Sequence, residues 1–140
     1  MRFLWRGGAA NFEPGLIRFL STMMDEGAGD LNSKAFQTRK EDYGIKLSFS
    51  AEKDSFSGSL STLSKHKDEA FSLLALAVNK PRFADTPLER MRQALMAGHR
   101  RSASDSGTIA SETWWQNTLA GHAYGNAVRG TPEFTQKVTQ

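Results

Sequence analysis

Between residues 45 and 60 the chain alternates strictly. Ile45, Leu47, Phe49 and Ala51 are separated by Lys46, Ser48 and Ser50, and after Glu52-Lys53-Asp54 the pattern resumes with Phe56, Gly58 and Leu60. A period of two belongs to a strand with one buried face, and two such runs joined by a tight turn form a hairpin. A lone hairpin is at best marginally stable in water, so other elements must cover its apolar face. The flanking sequence offers helices for this. Leu16, Phe19, Leu20, Met23 and Met24 fall at i, i+3, i+4, i+7 and i+8, which predicts a helix from about Pro14 to Glu26 that Gly27 and Gly29 stop.

The rest of the chain extends this picture. Met1 to Ala10 reads as a strand ended by Gly7-Gly8, and Ser33 to Tyr43 as a polar helix with Ala35 and Phe36 turned inward. Ser64 is the expected N-cap of a helix carrying Ala70, Phe71, Leu73, Leu74, Ala77 and Val78, apolar on nearly every side and so expected at the centre of the core. Thr86-Pro87-Leu88-Glu89 reads as a capping box opening a helix whose inward face is Leu88, Met91 and Leu95. A further helix spans Ser106 to Ala120, with one of Trp114 and Trp115 expected in the core and the other at an interface. Thr131-Pro132-Glu133 starts a last helix. The order implies an α+β fold, helices packed on a mixed or antiparallel sheet. No repeat or linker divides residues 1–140, so one domain is expected, and the stop soon after a helix start suggests a segment of something longer.

Composition excludes several classes. With no cysteine among 140 residues, thiol catalysis, disulfide frameworks and cysteine-based zinc fingers are ruled out. Eighteen Lys and Arg against 15 Asp and Glu leave an excess of only +3. The charges come in mixed runs such as Arg39-Lys40-Glu41-Asp42 and Lys65-His66-Lys67-Asp68-Glu69, which read as solvated faces, so no nucleic-acid partner is expected. No stretch approaches the roughly 18 apolar residues of a membrane span, and Phe3-Leu4-Trp5 is too short for a signal core. His66, His99 and His122 lie far apart in polar or loop settings, without metal-ligand spacing. No phosphate loop and no nucleophile elbow is present. From the residues alone, the chain is a binding or structural domain without an evident active site.

A set of landmarks in fixed order then stands out. Gly15-Leu16-Ile17-Arg18-Phe19-Leu20-Ser21-Thr22-Met23 resembles the motif helix of the pitrilysin/insulinase family of zinc peptidases, whose pattern is roughly G-L-A-H-F-L-E-H-M. Gly44 to Asp54 resembles that family's following strand, and Asn79-Lys80-Pro81-Arg82-Phe83 its helix end. Glu89-Arg90 resembles the opening of its third-ligand helix. His122-Ala123-Tyr124-Gly125-Asn126, followed by Arg129-Gly130-Thr131, is similar to its H-P-Y-G loop and Gly-Thr step. Together these landmarks span nearly the whole chain.

The resemblance implies a zinc site whose two histidines and general base would stand where this chain has Arg18, Thr22 and Ser21, respectively. Arginine offers no lone pair, and neither hydroxyl is an ordinary zinc ligand or a base near neutral pH. The family's third ligand is a glutamate on the helix opened by Glu89-Arg90, yet no acidic residue lies between Glu89 and Asp105. The resemblance therefore implies a non-catalytic domain or subunit holding no zinc, one wall of a peptide chamber beside a zinc-bearing homologous partner. Ser48, Phe49, Ser50 and Ala51 match the edge on which the family lays a peptide as an added strand, although Ser48-Phe49 replaces its usual Asn-Ala. Periplasm is the implied compartment, with cytoplasm the alternative. The competing expectations are a purely structural subunit, a peptidase with rearranged ligands, and a small basic nucleic-acid-binding domain.

Overall fold

The computed structural model describes residues 1–138. Three antiparallel strands lie in the order β1 (Arg2–Arg6), β3 (Ser55–Ser61), β2 (Lys46–Ala51). The alternation sets the register: Leu47 faces Leu60 across the hairpin, and Gly58 lies between Phe3 and Phe49. Glycine at 58 leaves room for the Phe3 ring, which a Cβ there would meet at 2.3 Å. The inner face carries a run of rings, with Phe49 stacked on Phe56 at 6.0 Å and Phe3 edge-on to Phe49 at 6.2 Å. The outer face is small and polar. Ser48 shares a hydrogen bond with Ser59, and Ser50 with Ser57, each at 2.9 Å, in a shallow groove of about 520 Å³ flanked by Arg2 and Leu4.

The helices are α1 (Leu16–Met23), α2 (Ser33–Asp42), α3 (Lys67–Asn79), α4 (Asp85–Ser102), α5 (Ser106–Thr118) and α6 (Pro132–Lys137). The main core joins Leu47, Phe49 and Leu60 of the sheet to Met24, Phe36, Ala70, Leu73 and Ala77. Helix α1 is the central element. Its Ile17 meets Ala9 and Ala51, while Phe19 and Met23 meet Leu88 of α4, with Phe134 of α6 packed against them.

Several local expectations are corrected. Helix α1 is shorter than Pro14–Glu26, and Leu16, its first residue, is exposed while Ile17 is buried. Ala35 is exposed, and Phe36 alone fixes α2 to the core. Helix α3 is not central: Ala70, Leu73 and Ala77, one turn apart, are buried, and Phe71 and Val78 on the flanks are exposed. Ser64 belongs to a 3₁₀ turn ahead of α3 and does not cap it. Helix α4 begins before the anticipated capping box, since Leu88 N–H already donates to Ala84 O at 3.0 Å and places Thr86 and Pro87 within the first turn. That turn lacks intrahelical acceptors for its N–H groups, so a proline there loses nothing. The Asn32, Asp105 and Thr131 side chains do cap α2, α5 and α6.

Candidate functional site

The candidate site is the outward flank of α1 together with the elements around it. With 3.6 residues per turn, Ile17, Leu20 and Met24 point to the sheet, and Phe19 and Met23 to α4 and α6. Arg18 and Thr22, one turn apart, share the flank between those two faces. Both are half-buried. Ser21 is 2% exposed and so is not part of an open polar stripe. Its hydroxyl donates to Arg18 O, and the Thr22 hydroxyl to Phe19 O, each at 2.7 Å. Both hydroxyls are turned back onto their own helix, the usual fate of a hydroxyl inside a helix with no better partner.

This donor set does not fit zinc. Zinc needs nitrogen, thiolate or carboxylate lone pairs converging at about 2.0–2.3 Å, and the flank offers a guanidinium and two committed hydroxyls. Among the described residues, no three His, Asp or Glu side chains are grouped so as to hold a metal. The acids nearest in sequence are engaged: Asp25 accepts from Lys40 at 2.7 Å, and Glu26 is bound by Arg90 and by Ser33. His66 packs edge-on against Tyr43 at 5.2 Å, and His122 Nδ1 accepts from Tyr124 N–H.

His99 is not in the polar setting expected for it. It is buried in α4, with Nε2 3.0 Å from the Thr135 hydroxyl of α6. That hydroxyl donates to Thr131 O at 3.1 Å, so its oxygen accepts from a protonated Nε2. Burial, and then the nearby Arg129, push the His99 pKa below its ordinary value.

Around this flank the other landmarks meet one another. Gly15, at φ +100°, lies against Gly130, where a Cβ would fall 2.4 Å from Pro14 O and 2.5 Å from Gly15 Cα. The loop before α6 can therefore touch the start of α1 only through glycine. The hairpin tip is held from two sides. Gly7, Ala9 and Ala10 N–H groups donate to Asp54, Glu52 and Lys53 carbonyls, and a Cβ on Gly8 would fall 2.2 Å from Glu52 O. From the other side, the Tyr124 hydroxyl donates to Asp54, and Lys53 Nζ donates to Tyr124 O while lying 4.0 Å over the Trp115 ring. The bond to Asp54 raises the Tyr124 pKa.

Sequence reasoning marked Tyr124 and Asp54 as landmarks and missed Lys53. Its signal was weak, a single cation in a three-residue turn. Trp114 and Trp115 pack edge-to-face at 4.8 Å, but neither is in the core; Trp115 is half-buried under Lys53, and Trp114 is 56% exposed. Ser48, Phe49, Ser50 and Ala51 lie on β2, which pairs with β3 on one side only among the described strands. Phe49 and Ala51 are buried inward, so only Ser48 and Ser50 present side chains outward.

Comparison with known proteins supplies what geometry alone does not. No protein-family model matches the chain. A curated relative from Helicobacter pylori, described as the non-peptidase homolog YmxG, is 26% identical over 137 residues, covering 96% of this chain and 32% of the relative. The crystal structure of a peptidase M16 inactive domain from Pseudomonas fluorescens superposes with a TM-score of 0.90 at 25% identity, over 99% of this chain and 34% of that one. Pitrilysin itself shares the fold, with a TM-score of 0.79 at 17% identity over 96% of this chain and 15% of that one. The chain is similar, in sequence and in fold, to inactive members of the pitrilysin family. It spans about a third of the length of the first two relatives. Its landmarks assemble a peptidase fold around a helix that carries no peptidase chemistry. No described helix is long and apolar enough to cross a membrane.

Proposed function

We propose that this pitrilysin-like domain forms part of the wall of a peptide-holding chamber and supports a zinc-bearing homologous subunit or domain that performs the proteolysis. The observation that carries the reading is the open side of β2, laid over α1. A strand pairing on one side only leaves alternate backbone N–H and C=O groups free, which is what an extended peptide uses to add itself to a sheet. Ser48 and Ser50, small and hydroxylated, leave that edge accessible. Zinc belongs to the partner in this reading, because the donors at Arg18, Ser21 and Thr22 do not suit it. Trp114, a large exposed ring beside the hairpin lock, is the proposed contact with the partner, since exposed tryptophan is enriched at interfaces. The periplasm is the proposed compartment.

The test is reconstitution. The chain is mixed with a homologous zinc-bearing subunit from the same source, and cleavage of a quenched fluorescent peptide is followed for each component and for the mixture. The reading expects no cleavage by this chain alone, a rate in the mixture well above that of the zinc subunit alone, and loss of the gain with Trp114→Ser. A zinc subunit equally active with and without this chain would contradict it and favour a purely structural role.

A further inference from the structure

The cations of this protein separate into those that are exposed and those that are half-buried. The half-buried ones are Arg18, Arg39, Lys40, Lys53, Arg92 and Arg129. Five of them are matched. Arg39 pairs with Glu69, Lys40 with Asp25, Arg92 with Glu89 and Arg129 with Glu112, and Lys53 has the Tyr124 carbonyl and the Trp115 ring. Arg18 alone has no ion pair, side-chain hydrogen bond or aromatic face among the described residues. Partial burial removes solvent from a guanidinium, and the protein ordinarily compensates with an acid or an acceptor.

The surroundings of Arg18 cannot supply one. Asp25 and Glu26, further along the same chain segment, are taken by Lys40 and by Arg90 with Ser33. Helix α4, which packs along α1, carries no acid from Arg90 to Ser102. The Thr22 hydroxyl one turn away is bonded to Phe19 O, which leaves its oxygen lone pairs but no proton to offer. An always-charged, planar, five-donor group is thus held on a helix flank bordered by α4 and by the sheet side, where its neighbour Ile17 packs on Ala51 of β2.

We infer that Arg18 is a carboxylate-binding residue that takes the carboxylate of a peptide lying along β2. The inference rests on the peptide-holding reading above and deepens it by naming the chemistry recognised. A carboxylate fits because its two oxygens match the guanidinium fork and its charge offsets the partial desolvation of the guanidinium. A free C-terminus and an internal aspartate offer the same group, so the probes separate the two sources.

The experiment measures fluorescence anisotropy of the chain with fluorescein-labelled peptides of alternating threonine and valine: one with a free C-terminal carboxylate, its C-terminal amide, and the amide with one internal aspartate. Charge-assisted bonds predict roughly tenfold tighter binding of the free acid than of the amide. Arg18→Gln should abolish that ratio, and Arg18→Lys, which keeps charge but not the fork, should restore only part of it. Tight binding of the aspartate peptide and not of the free acid would assign an internal side chain as the source, with the role of Arg18 unchanged. Equal affinity of all three peptides, or a ratio that survives Arg18→Gln, would overturn the inference while leaving the peptide-holding reading intact. Binding by none of them would overturn both. The comparison of peptides on the unaltered chain does not depend on any variant folding.

Discussion

The hairpin tip and the outward flank of α1 both carry family landmarks, and they differ in every physical respect. At the tip, Glu52, Lys53 and Asp54 are gripped by backbone donors from the Gly7–Ala10 segment and by the Tyr124 loop. On the flank, Arg18 has no ion pair or side-chain hydrogen bond among the described residues, and Ser21 and Thr22 bond to their own helix. One region is tied from two sides, and the other makes no side-chain hydrogen bond to another element among the described residues. Here the close approaches join separate elements, whereas the hydroxyl bonds of Ser21 and Thr22 stay within α1.

The strongest way to break this contrast is to disturb the close approaches. Gly130→Ala places a Cβ 2.4 Å from Pro14 O at a φ of +72°, and it should cost about 3 kcal/mol or more, read as a fall in the urea midpoint with circular dichroism. A change indistinguishable from that of an exposed alanine substitution would show the Gly15–Gly130 contact to be dispensable.

Lys53→Met keeps the stem while removing the charge over Trp115 and the bond to Tyr124 O. A loss of about 1 kcal/mol is expected, together with a change in tryptophan emission that Lys46→Met should not produce.

His99 gives a pH-dependent version of the same comparison. Its pKa is lowered in the folded state by burial and by Arg129, with Glu112 and Glu133 opposing. The unfolded chain, with histidine near 6.5, then binds the proton more readily than the folded one. The contribution is fully present above about pH 6.5, is lost as pH falls through that value, and levels off below the folded pKa. Urea midpoints between pH 8 and pH 5 should fall less steeply in His99→Gln, which can still donate to Thr135. Parallel slopes would assign the acid sensitivity elsewhere.

The smallest effect is expected on the flank itself: Arg18→Gln and Thr22→Val should each change stability by no more than about 0.5 kcal/mol. A large loss from either would mean that the flank supports the fold after all.

Much of the sheet was legible in the sequence because a period of two admits one arrangement. Phe49 and Ala51 had to face inward once Leu47 did, and the pairing with Phe56 and Leu60 followed. Helix phase was less legible. Phe71 and Val78 looked internal because α3 is apolar all round, but only the face carrying Ala70, Leu73 and Ala77 meets the sheet. The helix start read at Thr86 was misplaced by two residues, since proline is as acceptable within the first turn as at its start. His99 looked polar from its neighbours Arg100 and Arg101; its burial depends on α6, 36 residues on in sequence. At the candidate site the placement of Arg18, Ser21 and Thr22 on α1 was readable from its apolar spacing. The matching of every other half-buried cation was not, because it joins residues from across the chain.

The central claim is that this pitrilysin-like fold is retained around a flank that holds no zinc, and native mass spectrometry of the purified chain, loaded with excess zinc and then dialysed, tests it most directly. The account predicts the mass of the metal-free chain, unchanged by loading. One zinc retained per chain would contradict it and would require ligands outside the Arg18, Ser21 and Thr22 flank.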